Sequence, residues 1–297
     1  MSNIINDFNK LINKDGSKNV CITKPRGFGK TSIGALLVTY YSKGIDSKDI
    51  FDNLKVSKGK SSDENERKKE IIQYEEFQGK YHTLYFDFSH GISTYKTLDE
   101  YLASIGQKLK NDINKLYPDF KSITDDDGDD TYSILDILEE LYEEHKEEFI
   151  IIIDEWDYIL ANDKFTYEQQ ENYIYFLKYL IKDQAYSAFV YMTGILPIAK
   201  VISYSALNCF VEYTILNDNK YYQYYDFTEL EVRNLCNKGN TLILENSQLR
   251  KIKSGDKMDF NNLKRVIDYV YFKTLIKYEI NDEEAIRKEN LDYIFLS

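Results

Sequence analysis

Apolar and polar positions along this chain fall into two alternating rhythms. Short apolar runs of strand length are separated by longer stretches of helical period, a pattern that predicts an α/β domain with a mainly parallel sheet. "NVCIT" (Asn19 to Thr23) predicts a strand and "GKTSIGALLVTYYSKG" a helix ending near Gly44. "KVSKGKSSDENERKKE", Lys55 to Glu70, is so rich in mixed charge that it predicts a surface loop or insertion. "HTLYFDFS" (His82 to Ser89) alternates like a second strand, and the stretch after it places Leu98, Leu102, Ile105 and Leu109 on one helical face. "ILDILEELYEEHKEE" predicts a helix with an acidic outer face. It leads into "FIIII", Phe149 to Ile153, which predicts a strand buried on both sides. "SAFVYMTG", Ser187 to Gly194, predicts another buried strand, and residues 227–297 predict helices with a tyrosine-rich apolar stripe.

Bulk properties narrow the setting. The 297 residues, 43% of them hydrophobic, suffice for one large domain or a domain plus a smaller region. A net charge of −12 opposes nonspecific binding to nucleic acid or anionic membranes. Cys21, Cys209 and Cys236 lack the spacing of a zinc site or disulfide framework. No apolar run approaches the roughly 20 residues of a membrane span, and the N-terminus has no signal-peptide core. A soluble, intracellular and cytoplasmic protein is expected. "TDDDGDD", Thr124 to Asp130, lacks the order and closing Glu of a calcium loop and is expected to be a solvated acidic loop.

The chemistry concentrates at two strand ends. "TKPRGFGKTS", Thr23 to Ser32, follows a predicted strand and opens a predicted helix, as a phosphate-binding loop must. Its first position carries Lys24 where the usual loop has glycine. Gly29 permits close backbone approach to phosphate, Lys30 supplies charge and Thr31 a metal-facing hydroxyl. The candidate nucleotide-binding set is Lys24, Pro25, Arg26, Gly27, Phe28, Gly29, Lys30, Thr31 and Ser32. Asp154 and Glu155 directly follow the buried "FIIII" strand. In a P-loop NTPase the first acid helps to hold Mg²⁺ and the next polarises the attacking water. Thr193, at the end of the later strand, is a candidate sensor of the terminal phosphate, although a strand-end threonine is as often a local hydrogen-bonding residue. Either half has a plainer reading, a chance GKT or an acidic helix start. Their occurrence in order, each after a buried strand, favours the nucleotide reading.

"CITKPRGFGKTS", "LYFDFS", "IIIIDEWD", "VYMTGILPIAK" and "SALNCFVEYTIL" resemble, in order, segments of the AAA-ATPase-like family over about residues 3–236. That family accepts a basic residue at the position of Lys24 and usually carries arginine where this chain has Gly27. The resemblance implies a P-loop NTPase fold, three layers α/β/α with an extra strand between the Walker A and Walker B strands. It implies an NTPase domain over residues 1–226 and a small helical C-terminal region, a lid or remnant, over 227–297. It further implies ATP and Mg²⁺ as ligands and slow hydrolysis, with Lys30, Glu155 and Thr193 as catalytic candidates and Thr31 and Asp154 at the metal. The absence of an Asn-Lys-x-Asp stretch agrees with adenine. The alternatives are a nucleotide-gated switch or interaction module with negligible turnover, and a truncated remnant that binds nucleotide without a task. Family members often continue into a PD-(D/E)xK nuclease-like domain, but no Glu-x-Lys triplet follows Glu155 here, so no nuclease is expected. Nucleic acid enters as a partner by family analogy alone, no membrane is expected, any other macromolecular partner is unassigned, and oligomerisation is left open. Arg233, Arg250 and Arg265 are undistinguished candidates for an arginine finger.

Overall fold

A computed structural model describes residues 2–120, 134–198 and 207–225 of the chain. By internal packing the chain divides into two units: Met1–Thr23 with Lys30–Asn217, and Lys24–Gly29 with the stretch that begins at Asp218. The C-terminal region expected over residues 227–297, the acidic stretch 124–130, and Cys236, Arg233, Arg250 and Arg265 lie outside the described residues.

The first unit is built on a five-stranded, all-parallel sheet. Its strands are β1 (Asn19–Thr23), β2 (His82–Asp87), β3 (Phe149–Asp154), β4 (Ser187–Gly194) and β5 (Val211–Thr214), in the spatial order β2-β3-β4-β1-β5. β4 therefore lies between β1 and β3. Parallel neighbours need long crossovers, and helices supply them. The helices are α1 (Ile4–Asn9), α2 (Lys30–Tyr41), α3 (Lys48–Asp52), α4 (Glu64–Phe77), α5 (Leu98–Leu116), α6 (Ile134–His145) and α7 (Tyr167–Ile181).

Every residue of β1, β3 and β4 is buried. In β3, Phe149, Ile151 and Ile153 join a core with Leu98 and Ile113 of α5, Ile137, Leu138 and Leu141 of α6, and Tyr173 and Leu177 of α7. Alternate residues of a strand face opposite sides, so Ile150 and Ile152 fall on the other face. There the side chain of Ile152 approaches Gly34 of α2. Burying one isoleucine stabilises by roughly 1.5–3 kcal/mol, so this run anchors both layers.

α1 is buried along its whole length, and Phe8 packs on Phe189 and Tyr191 of β4 at ring-centroid distances of 5.1 and 5.7 Å. The surface loop expected over residues 55–70 is instead a 3₁₀ turn, Lys55–Lys58, followed by the start of α4. Asp63 caps α4 by accepting the Glu66 N–H, and Lys68–Glu64 and Lys69–Glu66 pairs line its outside. Tyr74 and Glu70 provide its buried contacts. Among the described residues, no helix is long and apolar enough to cross a membrane.

The register places the strand ends together. Thr23 lies opposite Gly194, Ile22 opposite Thr193, and Asp87 opposite Asp154. In open α/β sheets this carboxyl edge is where ligands bind.

Candidate functional site

α2 opens at the carboxyl edge because the loop after β1 leads directly into it. Gly27 and Gly29 in that loop have φ values of 85° and 79°, a left-handed conformation that side chains with a Cβ resist. Lys30 begins α2 as a buried residue, whereas Thr31 and Ser32 are exposed on its first turn. The hydroxyl of Tyr191 in β4 donates to the Lys30 carbonyl at 3.4 Å, fixing the helix start against the sheet.

Asp154 ends β3 and is buried. Its Oδ1 accepts the Thr193 hydroxyl at 2.5 Å and the Glu155 N–H at 3.1 Å, while Oδ2 accepts the Tyr85 hydroxyl at 3.0 Å. Burial first, and then the Asp154 charge, push the Tyr85 phenol well above its ordinary value, so it stays protonated and donates. Glu155 follows with φ 52°, a left-handed conformation that costs a residue with a Cβ about 1–2 kcal/mol. The Trp156 N–H donates to the Thr193 carbonyl at 3.0 Å, and Tyr173 holds the Trp156 carbonyl at 2.7 Å. The turn after β3 is thus tied to β4 on one side and to α7 on the other.

Asp157 strengthens that tie. Its Oδ2 accepts the N–H groups of Ile195 and Leu196 at 3.0 and 2.7 Å, joining the loops after β3 and β4. Burial pushes its carboxyl above the ordinary range, opposed by those two N–H groups and by the charge of Lys30. Gly194 is squeezed between these groups: a Cβ there would lie 2.4 Å from Trp156 Cδ1 and 2.5 Å from Asp157 Oδ1.

In the second unit, Lys24 is not a bare substitute for glycine. Its ammonium pairs with Asp218 at 2.9 Å, with side-chain exposures of 3% and 0%. Asp218 Oδ1 also accepts the Lys220 and Tyr221 N–H groups at 3.1 and 2.6 Å.

The first unit therefore gathers Lys30, Thr31, Asp154, Glu155 and Thr193 at one edge of its sheet. Thr193 engages Asp154 through its hydroxyl. Tyr85, Asp157 and the Lys24–Asp218 pair were not apparent from the sequence. Both stood in segments that carry the resemblance, Tyr85 in "LYFDFS" and Asp157 in "IIIIDEWD", but no local pattern gave either a role. Among the described residues, no cluster of three or more His, Cys, Asp or Glu side chains is arranged to hold a metal. A hydroxyl and one carboxylate suit Mg²⁺, which keeps most of its ligands as water and phosphate oxygens and needs no protein cage. A cavity of about 860 Å³ runs along β2 beside α5, and Tyr85, Asp87 and His90 are among its walls. Its lining omits Lys30, Thr31, Asp154 and Thr193, so the candidate site is read from the strand ends.

A family model described as a predicted AAA-ATPase, AAA-ATPase-like, matches residues 6–202, more than half of the chain. The chain belongs to the AAA-ATPase-like family. The match includes the loop after β1, Asp154 and Glu155 at the end of β3, and the end of β4. The family points to nucleotide binding, and the all-parallel five-stranded sheet agrees with a P-loop-like α/β fold. No curated protein matches this AAA-ATPase-like chain.

Proposed function

We propose that this chain binds ATP with Mg²⁺ at the carboxyl edge of the sheet and hydrolyses it slowly. The loop Lys24–Ser32 is the Walker A segment: its backbone N–H groups and the N-terminus of α2 favour phosphate, and Lys30 provides the side-chain cation for the terminal phosphates. Asp154 ends the Walker B strand, and with the Thr31 hydroxyl it would hold Mg²⁺. Bound there, the ion would neutralise charge on the transferring phosphoryl group. Glu155 orients and polarises the attacking water. Thr193 holds the Asp154 carboxylate in place through its hydroxyl and is the candidate sensor of the terminal phosphate.

The observation that carries this reading is the pairing of a fixed acid with a strained one. Asp154 is held by donors from β2 and β4, and Glu155 follows it in a left-handed conformation. Strain of this kind persists where surrounding structure imposes it, and it concentrates at functional sites. Glu155→Gln should retain ATP binding and slow hydrolysis, whereas Asp154→Asn should weaken Mg²⁺-dependent binding and turnover together. Parental turnover in Glu155→Gln would remove it from the catalytic role.

The second reading is a nucleotide-gated switch with negligible turnover. The Lys24–Asp218 pair favours it, because it joins the first motif position of the loop to the residue that begins the C-terminal stretch. Turnover at background in a parent chain that binds ATP would select the switch.

A further inference from the structure

We propose that Tyr85 is a positioning residue that sets the Mg²⁺ dependence of nucleotide binding by holding the carboxylate of Asp154. The proposal rests on the functional reading above and assigns a residue from outside both motif segments. Tyr85 lies on the edge strand β2, and its ring packs against α2: Cε2 is 3.4 Å from the position a Cβ on Gly34 would occupy. The missing Cβ at Gly34 lets the ring lie close to the helix that opens at Lys30. Its hydroxyl reaches Asp154 Oδ2 at 3.0 Å, while Thr193 and the Glu155 N–H occupy Oδ1.

A carboxylate offers about four acceptor positions. Three donors from β2, β4 and the following turn therefore fix its rotation and leave roughly one position over, enough for a hydrated divalent cation. Without the Tyr85 hydroxyl, Oδ2 loses a donor and the carboxylate can rotate about Cβ–Cγ. A purely structural role would be different. The hydroxyl would then only tether an edge strand, and its loss would leave the metal dependence unchanged.

Tyr85→Phe removes the hydroxyl and retains the ring. ATP affinity is measured by equilibrium titration with EDTA and then across a Mg²⁺ series, for the parent and for Tyr85→Phe. Metal-free affinity should stay within about twofold. The Mg²⁺ concentration giving half the enhancement should rise about tenfold or more, since losing a group that orients a ligand typically costs 10–100-fold in metal affinity. The comparison is internal to each protein, so partial loss of fold lowers the active fraction in both arms and leaves the half-point unmoved. Thr193→Val should shift the half-point in the same direction through Oδ1. A parent that binds ATP with Mg²⁺ assistance beside a Tyr85→Phe variant with the parental half-point overturns this inference alone. A parent that does not bind ATP overturns the functional reading and this inference with it.

Discussion

Lys24, the first residue of the loop after β1, pairs with a buried Asp218, and a double-mutant cycle measures what the pair contributes. Asp218→Asn preserves the Oδ1 acceptor for the Lys220 and Tyr221 N–H groups and removes the charge facing Lys24. Lys24→Met preserves the length and apolar stem of the side chain and removes its ammonium. Because the two side chains are 3% and 0% exposed, each single change removes one side of a buried ion pair. Breaking such a pair costs about 3–5 kcal/mol, with the retained N–H bonds placing Lys24→Met toward the lower end. The double variant has no buried charge to compensate and should recover about 1–3 kcal/mol of the summed loss. Urea unfolding of the four proteins reads this directly, provided the slopes agree. Losses that add to within about 0.5 kcal/mol would refute the pair as a buried interaction. The same proteins separate structure from ligand contact at Lys24: the double variant should bind ATP close to the parental affinity, because the Lys24 ammonium pairs with Asp218.

Gly194→Ala should lower stability by about 1–3 kcal/mol, since Trp156 and Asp157 must yield to the new Cβ. For a unit of this size, that is a fall in melting temperature of roughly 2–12 °C, and an unchanged melting temperature would contradict the packing described. Glu70 makes a pH prediction. Burial raises its carboxyl, but bonds from Lys10 and the Ser61 and Lys60 N–H groups outweigh burial and leave it below its ordinary value of 4.5. Its stabilisation is complete above the unfolded value and is lost as pH falls through the lower folded one. Glu70→Gln should therefore flatten the acid side of the melting-temperature profile below about pH 4.5. A variant as acid-sensitive as the parent would contradict this.

The strands that build the site were legible because buried parallel strands are continuous apolar runs. "NVCIT", "FIIII" and "SAFVYMTG" all lie where their hydrophobicity placed them. α4 was hidden because its first turns are charged on nearly every residue. What makes it helical is a cap at Asp63, ion pairs three and four residues apart and a few buried anchors, signals weaker than an apolar stripe. α1 was hidden by brevity: six residues carry too little periodicity, and it is tertiary packing of Phe8 on β4 that holds it. Within the site, order along the chain named Lys30, Asp154, Glu155 and Thr193. It did not show that Thr193 and Tyr85 meet on one carboxylate. That juxtaposition arises from the sheet order β2-β3-β4, which no local pattern encodes.

The central claim is that this AAA-ATPase-like chain binds ATP through the loop after β1. Equilibrium titration of ATP with Mg²⁺ against the parent chain and Lys30→Ala tests it most directly, with thermal melts of the nucleotide-free proteins as the control for folding. The account predicts saturable binding by the parent, and loss of measurable binding in a Lys30→Ala variant that melts as a folded protein. Equal affinity in the two proteins, or no binding by the folded parent, would contradict it.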